Sequence, residues 1–159
     1  MSSYYLVIIG TRDNPVYELE FSSFKNLGLP TTASTNATPP IPGKARFAPN
    51  IQELLPFIAN SSLDLIEDAQ WSNNQLYLGK IDSFYGVSIN AFLTPGNIKF
   101  ILCYDNGVVK SEENSIKQFL NEINELYVKT LLNPFYTVND AIISPEFDLK
   151  VKQLARKYL

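Results

Sequence analysis

Tyr77-Leu78-Gly79-Lys80-Ile81-Asp82-Ser83-Phe84-Tyr85-Gly86-Val87-Ser88-Ile89-Asn90-Ala91-Phe92-Leu93-Thr94-Pro95-Gly96-Asn97-Ile98-Lys99-Phe100-Ile101-Leu102-Cys103-Tyr104 is the stretch that decides the fold. Aromatic and β-branched residues punctuated by Gly and Pro predict three strands, over 75–82, 85–93 and 97–104. Their joins, Ser83-Phe84 and Thr94-Pro95-Gly96, are too short for a crossover, so the strands pair antiparallel. Val87, Ile89, Ala91 and Leu93 share one face of their strand, and Ile98, Phe100 and Leu102 share a face of the next.

Upstream, residues 4–9 form a short, mostly buried apolar strand, and Asp13-Asn14-Pro15 is turn chemistry. Residues 16–21 then alternate, with Tyr17, Leu19 and Phe21 on one side and Glu18 and Glu20 on the other. The two strands form a hairpin. Residues 22–49, rich in Pro, Thr and Ser, carry no helical or strand period and predict a flexible insertion within a single domain of residues 1–159. Residues 50–71 are helical, with an apolar stripe of Ile51, Leu54, Leu55, Ile58, Ser62, Leu65 and Ala69 and with Asn50 as cap. Downstream, residues 111–132 form the longest helix, capped by Ser111, with Ile116, Phe119, Leu120, Ile123, Tyr127 and Leu131 as its stripe. Asn133-Pro134 stops it. A last helix opens with Ser144 as cap and Pro145 at its first position, and buries Phe147, Val151, Leu154 and Tyr158. The order is β-β-α-β-β-β-α-α, an α+β domain.

Composition narrows function by exclusion. The chain of 159 residues is 45% hydrophobic and 18% charged, which suits one packed domain rather than a disordered chain. It has no histidine and a single cysteine, Cys103, in a strand. The commonest general base, thiolate zinc sites and internal disulfides are thereby excluded. The seven glycines are isolated and none opens a helix as a phosphate loop, so binding of GTP by the chain itself is not expected. A net charge of -3 and a pI of about 4.9 argue against a nucleic-acid partner. The N-terminus lacks the basic region of a signal peptide, and no apolar run reaches the roughly 18 residues that span a bilayer, so a cytoplasmic location is expected.

One surface is conspicuous. On the helix of residues 50–71, Phe57, Asp64 and Trp71 are spaced by seven and share a stripe, with Asp64 about 140° from the apolar side. Two aromatics beside a carboxylate on an outward face point to a docking surface for a protein partner, with Phe57 and Trp71 as anchors and Asp64, Asn60 and Glu67 setting specificity. The plain alternative is a solvated helix face. Two Asn-Pro-x-Tyr strings, Asn14–Tyr17 and Asn133–Tyr136, are explained by turn and helix-stop chemistry rather than as linear ligands. Tyr127, Phe135 and Tyr136 are expected to close one end of the core.

Several strings in this order resemble one family. Asp13-Asn14-Pro15-Val16-Tyr17-Glu18 follows a first strand ending at Gly10; Ser62-Leu63-Asp64-Leu65-Ile66-Glu67-Asp68 precedes Trp71; Tyr77-Leu78-Gly79-Lys80 precedes Asp82 and Phe84. Glu125-Leu126-Tyr127-Val128-Lys129, Asn133-Pro134-Phe135-Tyr136, Ile143-Ser144-Pro145-Glu146-Phe147-Asp148 and Leu154-Ala155-Arg156-Lys157 complete the set. Together they are similar to sedlin, the small longin-fold subunit of the transport protein particle (TRAPP) complex. The resemblance spans nearly the whole chain outside residues 22–49. It implies a longin-like (profilin-like) five-stranded antiparallel sheet with one helix on one face and two on the other. It further implies a non-catalytic adaptor without cofactor or metal. That adaptor sits among core and larger complex-specific TRAPP subunits, contacts a Rab-type GTPase and vesicle membranes only indirectly, and acts peripherally at endoplasmic reticulum and Golgi membranes. Asp64 matches the aspartate of the family motif. The alternative is a regulatory longin-like module that binds a small GTPase or a fusion protein directly.

Overall fold

The computed structural model describes residues 3–22, 49–72, 76–84, 86–94, 96–105 and 113–158. The strands are β1 (Ser3–Ile9), β2 (Pro15–Ser22), β3 (Tyr77–Phe84), β4 (Val87–Leu93) and β5 (Lys99–Asp105). The helices are α1 (Pro49–Ser61), α2 (Leu63–Ser72), α3 (Glu113–Leu131) and α4 (Pro145–Tyr158). The strands form one antiparallel sheet in the order β2-β1-β5-β4-β3. The quoted segment and the N-terminal hairpin meet where β1 pairs with β5, Leu6 opposite Leu102 and Ile8 opposite Phe100.

Alternation on these central strands divides the core in two. Tyr4, Leu6 and Ile8 of β1, with Phe100, Leu102 and Tyr104 of β5, pack against Phe119, Leu120 and Ile123 of α3 and Val151 of α4. Tyr5, Val7 and Ile9, with Ile101 and Cys103, pack against Leu55, Ile58 and Ala59 of α1 and Ile66 of α2. The α+β, longin-like architecture therefore stands as expected, with α1–α2 on one face and α3 and α4 on the other. Aromatic rings stiffen the second side: Phe100 meets Tyr127 edge-on at 5.8 Å, and Tyr17 meets Phe147 at 5.0 Å. The buried Asn90 on β4 is satisfied, donating to the Tyr77 hydroxyl and accepting from that of Tyr104.

Details depart from the expectation for physical reasons. The β3–β4 reversal does not fall at Ser83-Phe84, which pair with Ser88 and Val87; it falls later, at Gly86, whose φ of 77° suits a tight hairpin. Two register shifts in β3, at Tyr77/Gly79 and Lys80/Asp82, break its alternation and displace its bounds from 75–82. Asn50 is not the cap of α1 but its second residue, after Pro49. The expected single helix arrives as two segments that break at Ser62. Ser144 caps α4 as expected, its hydroxyl accepting the Phe147 amide at 3.4 Å. Ala155 is buried on α4, while Leu154 and Tyr158 are only partly so. Residues 23–48 of the expected insertion and the Ser111 cap lie outside the described residues.

Turns bind the sheet to the rest. Lys99 is buried, and its ammonium lies 2.7 Å from the Asp13 carboxylate in the β1–β2 turn, where Asp13 has a φ of 58°. Thr11 donates its amide to the Asn139 side chain at 2.7 Å, and the Ile142 amide donates to the Val16 carbonyl, so the segment between α3 and α4 is pinned to the same hairpin. A Cβ on Gly10 would strike the Asn139 side-chain oxygen, which explains a glycine there.

Asp13→Ala leaves the Lys99 ammonium buried without its partner and is expected to lower unfolding free energy by about 1–3 kcal/mol, read from urea denaturation with unchanged slope. Asp148 is held below the usual carboxylate range by hydrogen bonds from Lys152 and the Tyr17 hydroxyl. A depressed folded pKa adds stability at neutral pH that fades as pH falls through that value. Asp148→Asn is therefore expected to destabilise at neutral pH and to flatten the acid limb of the thermal midpoint against pH.

Candidate functional site

The surface in question is the outward side of α1–α2. Pro49 starts α1 with its φ already suited to the first turn, and Pro56 continues inside it at the loss of one ladder donor. At the segment boundary two serines return their hydroxyls to the preceding turn, Ser61 to the Phe57 carbonyl at 2.8 Å and Ser62 to the Ala59 carbonyl at 2.6 Å. Such back-bonding disturbs a helix locally without ending it. Consistently, Ser62 donates its amide to the Ile58 carbonyl and Ile66 donates to that of Ser62. The heptad spacing of Phe57, Asp64 and Trp71 thus survives the boundary.

Burial shows which side faces out. Leu55, Ile58, Ala59, Ser62, Leu63 and Ile66 are buried against the sheet. The expected stripe was rotated: Leu54 and Leu65, placed in it from their spacing, are 38% and 39% exposed and flank the outer face. Phe57 is 69% exposed and Trp71 84%, while Asn60, Asp64 and Glu67 between them are exposed. The five residues singled out form a ribbon along the helices rather than one pocket. Phe57 and Asn60 line a cleft of about 230 Å³ in which Pro56, Phe57 and Asn60 of α1 face Tyr5, Val7 and Glu18 of the sheet.

Three features escaped sequence reasoning. Leu54 and Leu65 were misassigned because apolar residues occur on every side of this helix, so periodicity alone could not set its phase. Tyr5 and Glu18 join the cleft through strand pairing, which no local pattern reveals. The third is the exposed segment between α3 and α4: Phe135, expected in the core with Tyr127 and Tyr136, is 94% exposed, and Ile143 is 88% exposed. Tyr127 is buried and Tyr136 partly so. Phe135 turns outward because Asn133 closes a turn, its side chain accepting the Phe135 amide and its carbonyl the Tyr136 amide.

Cys103 is fully buried, and desolvation pushes its thiol up to about 12, out of the range of a nucleophile. Among the described residues no group of three His, Cys, Asp or Glu side chains is placed to hold a metal ion, and no helix is long and apolar enough to cross a membrane. Exposed aromatics bracketing a carboxylate are instead the side chains enriched where proteins meet.

Phe57→Ala, Asp64→Ala and Trp71→Ala are expected to shift unfolding free energy by less than about 0.5 kcal/mol each, as surface changes do. Leu55→Ala and Ile66→Ala, on the buried side of the same helices, are expected to cost about 2–5 kcal/mol in the same denaturation experiment.

Comparison with known proteins agrees with these features. The sedlin family model matches residues 8–157. The chain is 37% identical to trafficking protein particle complex subunit 20 of Saccharomyces cerevisiae, covering 98% of this chain and 97% of that protein. It is 43% identical to the transport protein particle 20 kDa subunit of Schizosaccharomyces pombe, over 98% of both. It is 36% identical to a probable trafficking protein particle complex subunit 2 of Drosophila melanogaster, over 100% and 99%. A family match along nearly the whole chain, on a longin-like sheet with its helices in the expected layers, makes this chain a member of the sedlin family.

Proposed function

We propose that this protein is a non-catalytic adaptor subunit of a TRAPP-type vesicle-tethering complex. The carrying observation is similarity along nearly the entire chain to proteins named as subunits of that particle. In this role the chain links the core that activates a Rab-type GTPase to larger, complex-specific subunits, in transport between the endoplasmic reticulum and the Golgi. Its location is cytoplasmic and peripheral to those membranes, and its contact with GTPase and vesicle is indirect.

The outer face of α1–α2 is the docking surface in this proposal. Phe57 and Trp71 supply anchors that lose unfavourable hydration when covered, and Asp64, Asn60 and Glu67 give the polar contacts that select a partner. Burying two exposed aromatics at the centre of an interface offers more than rim charges can, because rim pairs are screened by water and salt.

Tagged full-length chain is expected to recover the other particle subunits from cells, and Asp64→Tyr to lose at least one of them while its thermal midpoint stays that of the wild type. Recovery of a small GTPase or a fusion protein alone, with no particle subunit, would establish the direct regulatory module in place of the adaptor. Unchanged recovery by Asp64→Tyr would remove α1–α2 as the docking face.

A further inference from the structure

The cleft between α1 and the β1–β2 hairpin holds a polar group that the fold does not use. Tyr5 is 2% exposed, and its hydroxyl is buried with no hydrogen-bond partner. Such a group costs stability unless something pairs with it. Tyr5 stands among Val7, Pro56 and Phe57, with Glu18 lining the same cleft. Burial first, and then the neighbouring Glu18 carboxylate, through its charge and its pull on the hydroxyl proton, raise the Tyr5 pKa, so the hydroxyl stays protonated and faces Glu18 without closing a hydrogen bond of good geometry. Asp13 lines the cleft as well, but Lys99 already occupies its carboxylate. Glu18 is exposed and makes no ion pair among the described residues.

The helices beside the cleft have a matching electrostatic bias. Residues 49–72 contain Glu53, Asp64, Glu67 and Asp68 and no lysine or arginine. All four carboxylates are exposed, and none is ion-paired among the described residues. On the opposite side of the sheet α4 does the reverse, pairing Glu146 with Lys150 at 2.9 Å and Asp148 with Lys152 at 2.8 Å. Unneutralised carboxylates around exposed aromatic rings favour a cationic, partly apolar partner, since the ring faces also attract cations.

We propose that the cleft receives a basic side chain, arginine or lysine, from the protein segment that docks on the outer face of α1–α2. The cation sits between the Glu18 carboxylate and the Tyr5 hydroxyl oxygen, and its aliphatic stem lies against Phe57 and Val7. The proposal rests on the docking face described above and adds the chemical class of what docks there. Arginine fits better of the two, because its planar group donates to a carboxylate and a hydroxyl at once. The ribbon of Phe57, Asp64 and Trp71 then holds the rest of the same segment.

The test uses tagged full-length chain and the particle subunits that it recovers, quantified at graded salt. Glu18→Gln is expected to reduce recovery about tenfold and to flatten its dependence on salt, because a charged contact has been removed. Tyr5→Phe is expected to weaken recovery severalfold while leaving the thermal midpoint unchanged or higher, since the hydroxyl has no partner to lose on folding. Wild-type recovery by both variants overturns the cleft while Asp64→Tyr still decides the docking face. Loss of recovery in Glu18→Gln with the wild-type salt slope also overturns it, because the occupant is then not a cation. Light scattering that shows a wild-type dimer made monomeric by Glu18→Gln assigns the cleft to a second copy and overturns it as well.

Discussion

Two-sided burial of β1 and β5 is the constraint on which the rest depends. Each of these strands sends successive side chains to opposite cores, Leu6 and Ile8 to one and Val7 and Ile9 to the other. A slip of one residue would exchange the two sets and leave both helical layers with the wrong partners. The sheet must be covered on both faces, so the chain between β2 and β3 has to supply one layer and the chain after β5 the other. The right antiparallel neighbours then follow from short hairpins on either side of the central pair.

Apart from the Asn90 contacts inside the sheet, polar contacts that hold this arrangement lie at its ends. Lys99 is placed at the first residue of β5, where its ammonium can reach back to the β1–β2 turn. Asn139, with a φ of 74°, reaches the same turn from the α3–α4 connection and both donates to and accepts from Thr11. These contacts tie two segments remote in sequence, the start of β5 and the α3–α4 connection, to one hairpin. They also explain why the connection presents Phe135 and Ile143 outward: its backbone is committed to the turn and to β2, which leaves those side chains no inward path.

Much of the fold was legible because two periods, of two and of 3.6 residues, are cleanly written in the central strands and in α3. Phe119, Leu120 and Ile123 needed no tertiary information to be placed. The phase of α1–α2 was not legible, because Leu54, Phe57, Leu65 and Trp71 add apolar residues outside the buried stripe. A helix that needed only to cover the sheet would show one apolar side, and these four exposed side chains are what blur it. Phe57, Asp64 and Trp71 could be found from spacing alone, whereas Tyr5 and Glu18 could not. They are brought beside α1 by the pairing of β1 with β2 and by the packing of a helix from a later part of the chain. The bulges of β3 were likewise invisible, since a shifted register looks like noise in a pattern of period two.

The division between folding and recognition follows from the same geometry. On α1–α2 the residues that stabilise the domain and those of the proposed docking face occupy opposite sides of one helix, so the outer side carries exposed aromatics, and carboxylates without an ion pair among the described residues, at little expense to the core. The cleft is the exception, because its floor belongs to the sheet. Tyr5 serves the core with its ring and leaves its hydroxyl unpaired where the helix layer ends. A phenylalanine would pack equally well there and would avoid burying an unsatisfied group. The buried hydroxyl beside Glu18 is a feature that packing alone does not call for, and the proposed basic side chain supplies it with a donor.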